Sequence, residues 1–514
     1  MTNLLQRLRA LEPALLQDLR RGIEKESLRV RPEGPLAATP HPSALGSSLT
    51  HAYITTDFSE AQLELITGVH SHAQSCLKEL TEIHQVVYRR IGDEVLWCAS
   101  MPCFLPADDA IPIAQYGSSN GARLKTVYRT GLSHRYGRRM QVISGIHYNF
   151  SLPEEAWAAL DAGGPNEGYF ALIRNFRRHS WLLLYLFGAS PAVCSSFVAG
   201  RVHELLPLKG GTLYLREGTS LRMGPLGYRS DAQAALAVSY NSLQSYSASL
   251  RDALTRPYPP YEAIGIHDGA HNYRQLATSL LQMEAEFYGT IRPKRRVLPG
   301  ERPLHALLER GVEYVEVRCM DLDPFSPIGI TESTIRFLDM FLLHCVLRDS
   351  PPDEPKEIAA LGRNLNRVAA RGRRPGLQLE REGKSIGLSE WGSDVLGECE
   401  PIADALDAAQ GGDAHRRSLA DAQAALRDPG SVPSARVIDE MVRNYDSSYT
   451  RFVLDHSVRH RKALLGLPLS AEVEQRFEQL ARQSLEEQRR IEADDDLPFE
   501  TYRQRYLSER SIAS

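Results

Sequence analysis

Short stretches in which apolar and polar residues alternate predict β-strands in the first two-thirds of the chain. Side chains two positions apart lie on the same face of a strand, so alternation marks a strand with one buried face. Each stretch is brief and rich in β-branched or aromatic residues, as strands are. The four predicted strands are ESLRV (26–30), AQLELITG (61–68), MQVISGIHYNFSL (140–152) and GVEYVEVRCMD (311–321).

Apolar residues at helical spacing predict helices elsewhere, because positions three and four apart share one face of a helix. The predicted helices cover 74–90, 168–187, 231–255 and 332–347. The N-terminal MTNLLQRLRALEPALLQDLRR adds an amphipathic helix, and after residue 330 the pattern is mainly helical, with loops at DSPPDEPKE and GGDAHRR. The sequence therefore predicts an α+β fold, in which helices surround a mainly antiparallel sheet and form the C-terminal third.

One apolar stretch bears on whether the chain enters a membrane. Residues 179–200, HSWLLLYLFGASPAVCSSFVAG, contain no Asp, Glu, Lys or Arg. A membrane span needs about 20 mostly apolar residues, but this run breaks at Gly-Ala-Ser-Pro, which is typical of a turn. We favour a buried core helix that turns into a loop over membrane contact. The N-terminus has no uninterrupted apolar core and does not resemble a signal peptide.

Composition and charge narrow the class of protein. Hydrophobic residues make up 42% and charged residues 24% of the 514-residue chain, which is the usage of a globular protein rather than a disordered one. This length is typical of roughly two to four modules. The formal net charge of -4 gives no general attraction to nucleic acid or to acidic membranes, so neither is expected as a partner.

Cysteine usage and missing motifs exclude several kinds of site. The seven cysteines are scattered, odd in number and without a C-x-x-C pair. Neither a disulfide framework nor a thiolate zinc site is indicated, and a reducing cytoplasm fits this usage best. The chain also lacks a phosphate loop, a G-x-G-x-x-G after a strand, H-E-x-x-H and G-x-S-x-G. Any nucleotide would be bound on another scaffold.

Acidic residues recur on the predicted strands. Alternation groups Glu24 and Glu26 with Leu28 and Val30, Glu64 with Gln62 and Ile66, His147 with Asn149, and Glu316 with Tyr314 and Arg318. Each group alone is most simply a charged outer face, and a single histidine is most simply structural. If the strands are neighbours, however, these carboxylates and Asp57 form a cluster of like charges that cations must neutralise. Oxygen ligands with one imidazole suit Mg²⁺ or Mn²⁺ rather than structural Zn²⁺.

Basic and aromatic residues supply further candidates. Magnesium held by carboxylates usually serves substrate phosphates, and phosphoryl transfer needs cations to balance the charge on the transferred oxygens. The candidate cations are Arg129, Arg222, Arg318 and the run IRPKRR (291–296), although any one arginine is more simply part of a surface ion pair. The candidate pocket residues Tyr128, Tyr228 and Tyr288 are predicted beside turns containing Gly or Pro, but buried structural tyrosines are the simpler interpretation.

Nine motifs in order resemble the stand-alone bacterial glutamate–cysteine ligases. They are RGIEKESLRV, SALGSSLTHAYITTDFSEAQLELIT, MPCFLPADDAIPIAQYGSSN, KTVYRTGLSHRYG, ISGIHYNFSLP, YLFGASPAVCSSF, TSLRMGPLGY, LQMEAEFYGTIRPKR and GVEYVEVRCMDLDPFSPIGI. The resemblance covers residues 20–345 and continues more weakly toward residue 500. It implies a curved sheet like the glutamine synthetase catalytic core, with the active site on its concave face.

The resemblance also implies the reaction. ATP, with Mg²⁺ or Mn²⁺, phosphorylates the side-chain carboxylate of glutamate, and the amine of cysteine attacks the acyl phosphate. The product is γ-glutamylcysteine, in the first step of glutathione synthesis. The rival hypotheses are a ligase that joins glutamate to another amine, such as ammonia, and a catalytically inactive relative that acts as a binding or regulatory protein.

The resemblance assigns roles to individual residues. The implied metal ligands are Glu24, Glu26, Asp57, Glu64, His147 and Glu316. The implied catalytic cations are Arg129 and Arg318. The implied substrate-binding residues are Arg222, Tyr228, Tyr288, Tyr128, Phe58, Leu132 and Gln141. The implied ATP-binding residues are Arg292, Lys294 and Arg295.

The expected organisation follows from the extent of these motifs. Residues 1–345 are expected to form the catalytic core, and residues 346–514 a mainly helical region packed on it. No ATP-grasp segment follows the motifs, so one ligation is expected. We expect a cytoplasmic monomer that binds glutamate, cysteine and ATP and is inhibited by glutathione.

Overall fold

An antiparallel sheet organises the N-terminal two-thirds of the chain. The computed structural model describes residues 2–227, 231–234, 236–298, 300–508 and 511. The sheet has seven strands in the order β2-β3-β1-β5-β10-β9, and β4 pairs with the end of β1. Its strands are β1 Arg20–Val30, β2 Ile54–Thr56, β3 Gln62–Ile66, β4 Val95–Leu96, β5 Ile146–Ser151, β9 Ile291–Lys294 and β10 Tyr314–Met320. Two small sheets use β6 Ala192–Cys194, β7 Leu206–Pro207 and β8 Thr212–Tyr214, and β11 Gln378–Arg381 and β12 Lys384–Gly387.

Helices cover one face of the sheet and make up most of the C-terminal third. The first set is α1 Thr2–Ala10, α2 Pro13–Gln17, α3 Ala73–Tyr88, α4 Asn120–Tyr136, α5 Arg138–Gln141, α6 Glu154–Ala159, α7 Pro165–His179, α8 Trp181–Phe187, α9 Ser195–Val198, α10 Asp231–Ala234, α11 Leu243–Thr255, α12 Pro259–Ile264, α13 Pro303–Arg310 and α14 Glu332–Leu347. The second set is α15 Pro355–Arg371, α16 Leu388–Gln410, α17 Ala414–Arg427, α18 Pro433–Asn444, α19 Tyr449–Gly466, α20 Ala471–Ala493 and α21 Phe499–Leu507. The predicted α+β class is confirmed.

The predicted strands are present, with two corrections at their ends. Strand β1 begins at Arg20, where apolar residues at helical spacing predicted the end of the N-terminal amphipathic helix. It extends because its first half, Arg20–Lys25, pairs with β5, while Glu24–Leu28 pairs with β3 on the other side. The prediction for 140–152 is wrong in its first half, because Arg138–Gln141 is helical and the strand begins only at Ile146.

The helix predictions are confirmed at 74–90 and 332–347 and need correction elsewhere. The predicted helix 168–187 is two helices that meet at Ser180. The predicted helix 231–255 is wrong in its centre: residues 236–242 are not helical, and α11 starts after a capping box formed by Ser242 and Ser245. Serines favour such caps because the side chain bonds the free backbone N–H groups of the first turn.

The two faces of the sheet have opposite character. Tyr148, Phe150, Val315 and Val317 point to the back, where each is fully buried in the main hydrophobic core. Helix α14 packs in this layer and is buried on all sides from Ile335 onward, as expected of a helix apolar all round. The front face carries His147 and Glu316 at the alternate positions, so the faces predicted from alternation are confirmed.

The apolar stretch 179–200 begins with a buried helix, as predicted, but the predicted loop after it is wrong, because it contains strand β6 and the short helix α9. Residues Trp181 to Leu186 of α8 are all buried, and the chain then forms β6. None of the helices that the structure describes is long and apolar enough to cross a membrane.

The C-terminal helices brace the element that carries part of the candidate site. At the N-terminus of α4, Asn120 donates its backbone and side-chain N–H groups to the Asp495 carboxylate, and Ser118 N donates to Glu492 Oε1 at 2.8 Å. On the other side, Arg302 Nη1 donates to the Tyr506 carbonyl at 3.1 Å. The C-terminal third therefore holds the N-terminus of α4 and the residue that precedes α13.

Candidate active site

The front face of the sheet forms the floor of a cavity of ≈ 230 Å³. Strands β1, β3, β5, β9 and β10 supply the floor, while α4 and the segment 285–288 supply the walls. Of the predicted site residues, the cavity is lined by Glu24, Glu26, Asp57, Phe58, Glu64, Tyr128, Arg129, Leu132, Gln141, His147, Tyr288, Arg292, Lys294, Glu316 and Arg318. Residues far apart in sequence thus meet at one site.

Strand register explains how the acidic residues meet. Glu24 lies opposite His147, Glu26 opposite Glu64, and Glu316 opposite Asn149 of β5. Directly opposite residues on one face of a sheet have Cβ atoms about 5 Å apart, so their side chains can share a ligand.

His147 stands at the centre of this acidic group. Its Nδ1 is 3.3 Å from Glu24 Oε2 and 4.0 Å from Glu316 Oε1, and its Nε2 is 3.6 Å from Glu26 Oε1. One donor atom from each of Glu24, His147 and Glu316 lies within 4.8 Å of the others. Burial and then Arg318 lower the pKa of His147, which keeps the imidazole neutral, the form that binds a metal.

Two carboxyl groups of the acidic group, Glu26 and Glu64, have raised pKa values. Burial and the Asp57 carboxylate raise the pKa of Glu26 to about 8. Burial and the neighbouring carboxylates, first Glu24, raise the pKa of Glu64 well above its usual range. The donor set of these residues fits a divalent cation, because carboxylate oxygens with one imidazole suit Mg²⁺ or Mn²⁺.

Three cations stand at the edges of the acidic group. Although burial opposes ionisation of Glu316, Lys294 and Arg318 hold its pKa well below the usual range. Arg129 donates from Nε to the Asp57 carbonyl at 2.6 Å, and its guanidinium lies over the Tyr116 ring at 4.7 Å. Arg129 is therefore held rigidly at the rim of the cavity.

Arg292 lines the cavity but is committed to the loop beside it. Its Nη2 donates to the carbonyls of Ala285, at 2.8 Å, and of Phe287. Both bonds stabilise the segment that precedes Tyr288.

The structure does not bring two predicted residues to the cavity wall. Arg295 follows the last residue of β9; its Nη1 donates to the Arg310 carbonyl at 2.9 Å, and its Nε is 3.6 Å from Glu313. Arg222 is buried behind the wall and donates from Nη2 to the Arg318 carbonyl at 2.8 Å. Tyr228 lies outside the described residues.

Apolar and aromatic residues form one end of the cavity. Tyr128 and Leu132 are one turn apart on α4, with Phe58 nearby in the lining. Gln141 Nε2 donates to the Tyr288 hydroxyl at 3.0 Å. The prediction that Tyr128 lies beside a turn is wrong, because it is in the middle of α4.

Sequence reasoning missed Ala285 and Glu286, which also line the cavity. Glu286 Oε1 is 2.8 Å from Arg135 Nη2 in an ion pair with no solvent exposure, and it accepts from the Tyr136 hydroxyl at 2.8 Å. The backbone N–H of Gln282 donates to Glu286 Oε2, also at 2.8 Å. The segment around Glu286 is one short 3₁₀ turn, so it has no periodicity to mark it; its place in the motif LQMEAEFYG was the available signal.

Comparisons with known proteins agree with this geometry. The family model described as "Glutamate-cysteine ligase" matches residues 5–368. Over 498 residues the chain is 51% identical to a "Glutamate--cysteine ligase" of Pseudomonas putida, covering 95% of this chain and 94% of the relative. A relative of the same description from Alcanivorax borkumensis is 47% identical over 519 residues, covering 98% and 99%.

Solved structures give the same result for the fold. A crystal structure of a glutamate–cysteine ligase from Francisella tularensis in complex with AMP matches with a TM-score of 0.92 and 35% identity, covering 96% of this chain and 99% of that one. A bifunctional glutathione synthetase from Pasteurella multocida matches with a TM-score of 0.72 and 25% identity, covering 93% of this chain and 58% of that one.

The fold, the acidic sheet face and these relatives define a ligase that joins a carboxylate to an amine at the expense of ATP. The chain belongs to the glutamate–cysteine ligase family, whose reaction is the first step of glutathione synthesis.

Proposed function

We propose that the cavity activates the side-chain carboxylate of glutamate as γ-glutamyl phosphate and transfers the glutamyl group to the amine of cysteine. One observation carries this proposal: a single cavity joins an acidic, cation-binding face, the cations Arg129, Lys294 and Arg318, and an apolar, tyrosine-lined end. Each region suits one participant: the phosphates of ATP, the transferred phosphoryl group and the acceptor amino acid.

The acidic face is proposed to hold Mg²⁺ or Mn²⁺ through the six ligands Glu24, Glu26, Asp57, Glu64, His147 and Glu316. A bound divalent ion there neutralises the phosphates of ATP and the excess carboxylate charge. These side chains come from paired strands, which hold their spacing rigidly.

Arg129 and Arg318 are proposed to stabilise the transferred phosphoryl group. A carboxylate oxygen of glutamate attacks the γ-phosphorus, the bond to ADP breaks, and negative charge develops on the phosphoryl oxygens. Rigidly held cations stabilise that charge without reorganising during the reaction. Arg129 meets this requirement because its Nε and Nη1 are bonded to the carbonyls of Asp57 and Lys125.

The apolar end is proposed to receive cysteine. Phe58, Tyr128 and Leu132 offer a surface for the small thiol side chain, and the bond from Gln141 fixes the Tyr288 hydroxyl. The cysteine nitrogen attacks the acyl carbon, phosphate leaves, and the nitrogen loses a proton to give γ-glutamylcysteine. Arg222 and Tyr228 stay proposed contacts for the cysteine carboxylate.

ADP release measured across amine acceptors tests the proposed acceptor. With ATP, Mg²⁺ and glutamate present, we expect ADP release to rise sharply on adding cysteine and to respond far less to ammonia. A larger response to ammonia would favour a ligase for another amine, and no response to any acceptor would favour an inactive relative.

We further propose a monomer that works in a reducing cytoplasm, is inhibited by glutathione and uses residues 346–514 as a support for the core. All seven cysteines are free and buried in the structure, which supports a reducing environment. Sedimentation velocity tests the monomer, and a flat response of the rate to millimolar-scale glutathione would contradict the inhibition.

A further inference from the structure

Two histidines and a cysteine meet in the helical layer behind the sheet, away from the cavity. His179 is the last residue of α7, and His344 and Cys345 are consecutive residues of α14. One ring nitrogen of each histidine and the Cys345 sulfur all lie within 4.8 Å of one another. The exposed fractions are 5% for His179 and 0% for the other two.

Hydrogen bonds fix which nitrogen of each ring carries the proton. His344 Nε2 is 2.7 Å from Glu398 Oε2, and His179 Nδ1 is 2.8 Å from the Asn175 carbonyl oxygen. Both oxygens are acceptors, so the ring nitrogens must donate. The lone pairs are then on His344 Nδ1 and His179 Nε2, and His344 Nδ1 is buried without a hydrogen-bond partner.

This pattern is the one found around histidines that bind metals. A metal-binding histidine almost always donates its other ring N–H to a carboxylate or a backbone carbonyl, which orients the ring and makes the free nitrogen more basic. Here the Glu398 carboxylate accepts from His344, and the Asn175 carbonyl accepts from His179. An unpartnered ring nitrogen in a dry core is otherwise unfavourable, because it has lost its hydrogen bond to water and gained none from the protein.

We propose that His179, His344 and Cys345 form a second metal site, which binds Zn²⁺ and links α7 to α14. Two imidazole nitrogens and one thiolate suit this borderline-soft ion, whereas Mg²⁺ prefers the oxygen ligands of the cavity. Ligands of a tetrahedral Zn²⁺ lie roughly 3.3–3.6 Å apart, so binding draws these atoms together by about 1 Å through side-chain rotation.

The local charges suit such an ion. Zn²⁺ with one thiolate has one net positive charge, and the Glu398 carboxylate is hydrogen-bonded to His344. Arg348 also pairs with Glu398, at 2.6 Å, and holds it in place. Sequence spacing gave no sign of this site because α7 and α14 are far apart in the chain.

Cobalt(II) in place of Zn²⁺ tests the proposal, because a thiolate bound to cobalt gives an intense near-ultraviolet charge-transfer band. Metal is first removed from the protein, and excess Mg²⁺ is added to fill the carboxylate cavity. Because the site is buried, Co²⁺ is titrated in two preparations: into the folded protein, and into the protein while it refolds. We expect the band to saturate at one equivalent. The carboxylate cavity offers no cysteine among its lining residues and cannot produce it.

Matched variants locate the site. Cys345→Ala is expected to lose the band, and His179→Gln to weaken Co²⁺ binding by at least about tenfold. Cys76→Ala, which removes an equally buried free cysteine from α3, is expected to keep it. Cys345→Ser, of nearly the same volume, serves if the alanine variant does not fold. The proposal is overturned if wild-type protein shows no band in either preparation, or if Cys345→Ala or Cys345→Ser retains it.

Discussion

Glu316 forms an ion pair with a different cation at each of its carboxylate oxygens: Lys294 Nζ lies 3.0 Å from Oε1, and Arg318 Nη1 lies 2.9 Å from Oε2. The Glu316 carboxylate is almost fully buried. This side chain therefore joins the acidic face to the cations expected at the phosphates, and its loss would disturb both.

Replacement of Glu316 by glutamine tests this connection. We expect kcat for ADP release to fall by roughly a hundredfold or more, the loss seen when one preorganised electrostatic group is removed from an active site. Circular dichroism should show a folded protein, since the amide keeps the shape of the side chain. Undiminished turnover would contradict a role for Glu316 in catalysis.

The raised pKa of Glu26, about 8, predicts that Mg²⁺ binding depends on pH. Below that pH the metal-free carboxyl holds a proton that the cation must displace, so affinity should rise toward pH 8 by up to about tenfold per unit and then level off. Calorimetric titration with Mg²⁺ at several pH values measures this slope. A slope unchanged in Glu26→Gln would assign the proton to another group, such as Glu64.

The raised pKa of Glu26 also makes the stability of the metal-free protein depend on pH. Metal affinity rises with pH, whereas this stability falls as the pH rises. The unfolded carboxyl ionises near pH 4.5, whereas folded Glu26 keeps its proton up to about pH 8. Its contribution to the free energy of unfolding is therefore fully present below pH 4.5 and is lost as the pH rises through 8. Urea unfolding in chelator should show this loss, and added Mg²⁺ should remove it.

The buried pair of Arg135 and Glu286 predicts a specific defect in cysteine binding. Glu286→Gln leaves the Arg135 guanidinium buried without its counter-charge, which costs about 3–5 kcal/mol of stability. It also loosens the segment that carries Tyr288, so KM for cysteine should rise more than KM for ATP. Steady-state kinetics with each substrate varied in turn measures the difference, and equal changes in both KM values would contradict it.

Gly145 predicts a steric requirement beneath the site. A Cβ at this position would lie 2.1 Å from Nη2 of Arg222, which cannot move freely because it bonds the Arg318 carbonyl. Gly145→Ala should lower both the melting temperature and the rate. Gly397→Ala is the matched control: a Cβ there meets no atom within 4 Å beyond its neighbouring residues and the backbone of its own helix, and alanine favours a helix.

The sequence predicted which side chains share a face of the sheet but not which strands pair. Alternation depends only on strand geometry, so it identified His147 and Glu316 as front-face residues. Pairing depends on long-range packing, and for this reason the extension of β1 to Arg20 was missed. In the sequence Arg21 looks like a surface residue. In the fold it is buried, and Asp339 of α14, 3.0 Å away, neutralises its charge.

The residues that line the cavity also divide into those that the sequence predicted and those that it missed. The strand carboxylates could be found from pattern and chemistry, and the family motifs added α4. Glu286 was missed because its position depends on Arg135 and Tyr136, which come from a different part of the chain. Arg295 was included because the resemblance of the motif IRPKR implied ATP binding, although the structure places its Nε 3.6 Å from Glu313.

Transfer of oxygen-18 from glutamate to phosphate tests the central claim most directly. Glutamate labelled in its side-chain carboxylate is incubated with ATP, Mg²⁺ and cysteine, and the released phosphate is analysed by mass spectrometry. If the carboxylate is activated as an acyl phosphate, one phosphate carrying one labelled oxygen is released for each molecule of γ-glutamylcysteine formed. Unlabelled phosphate alongside dipeptide formation would contradict the account.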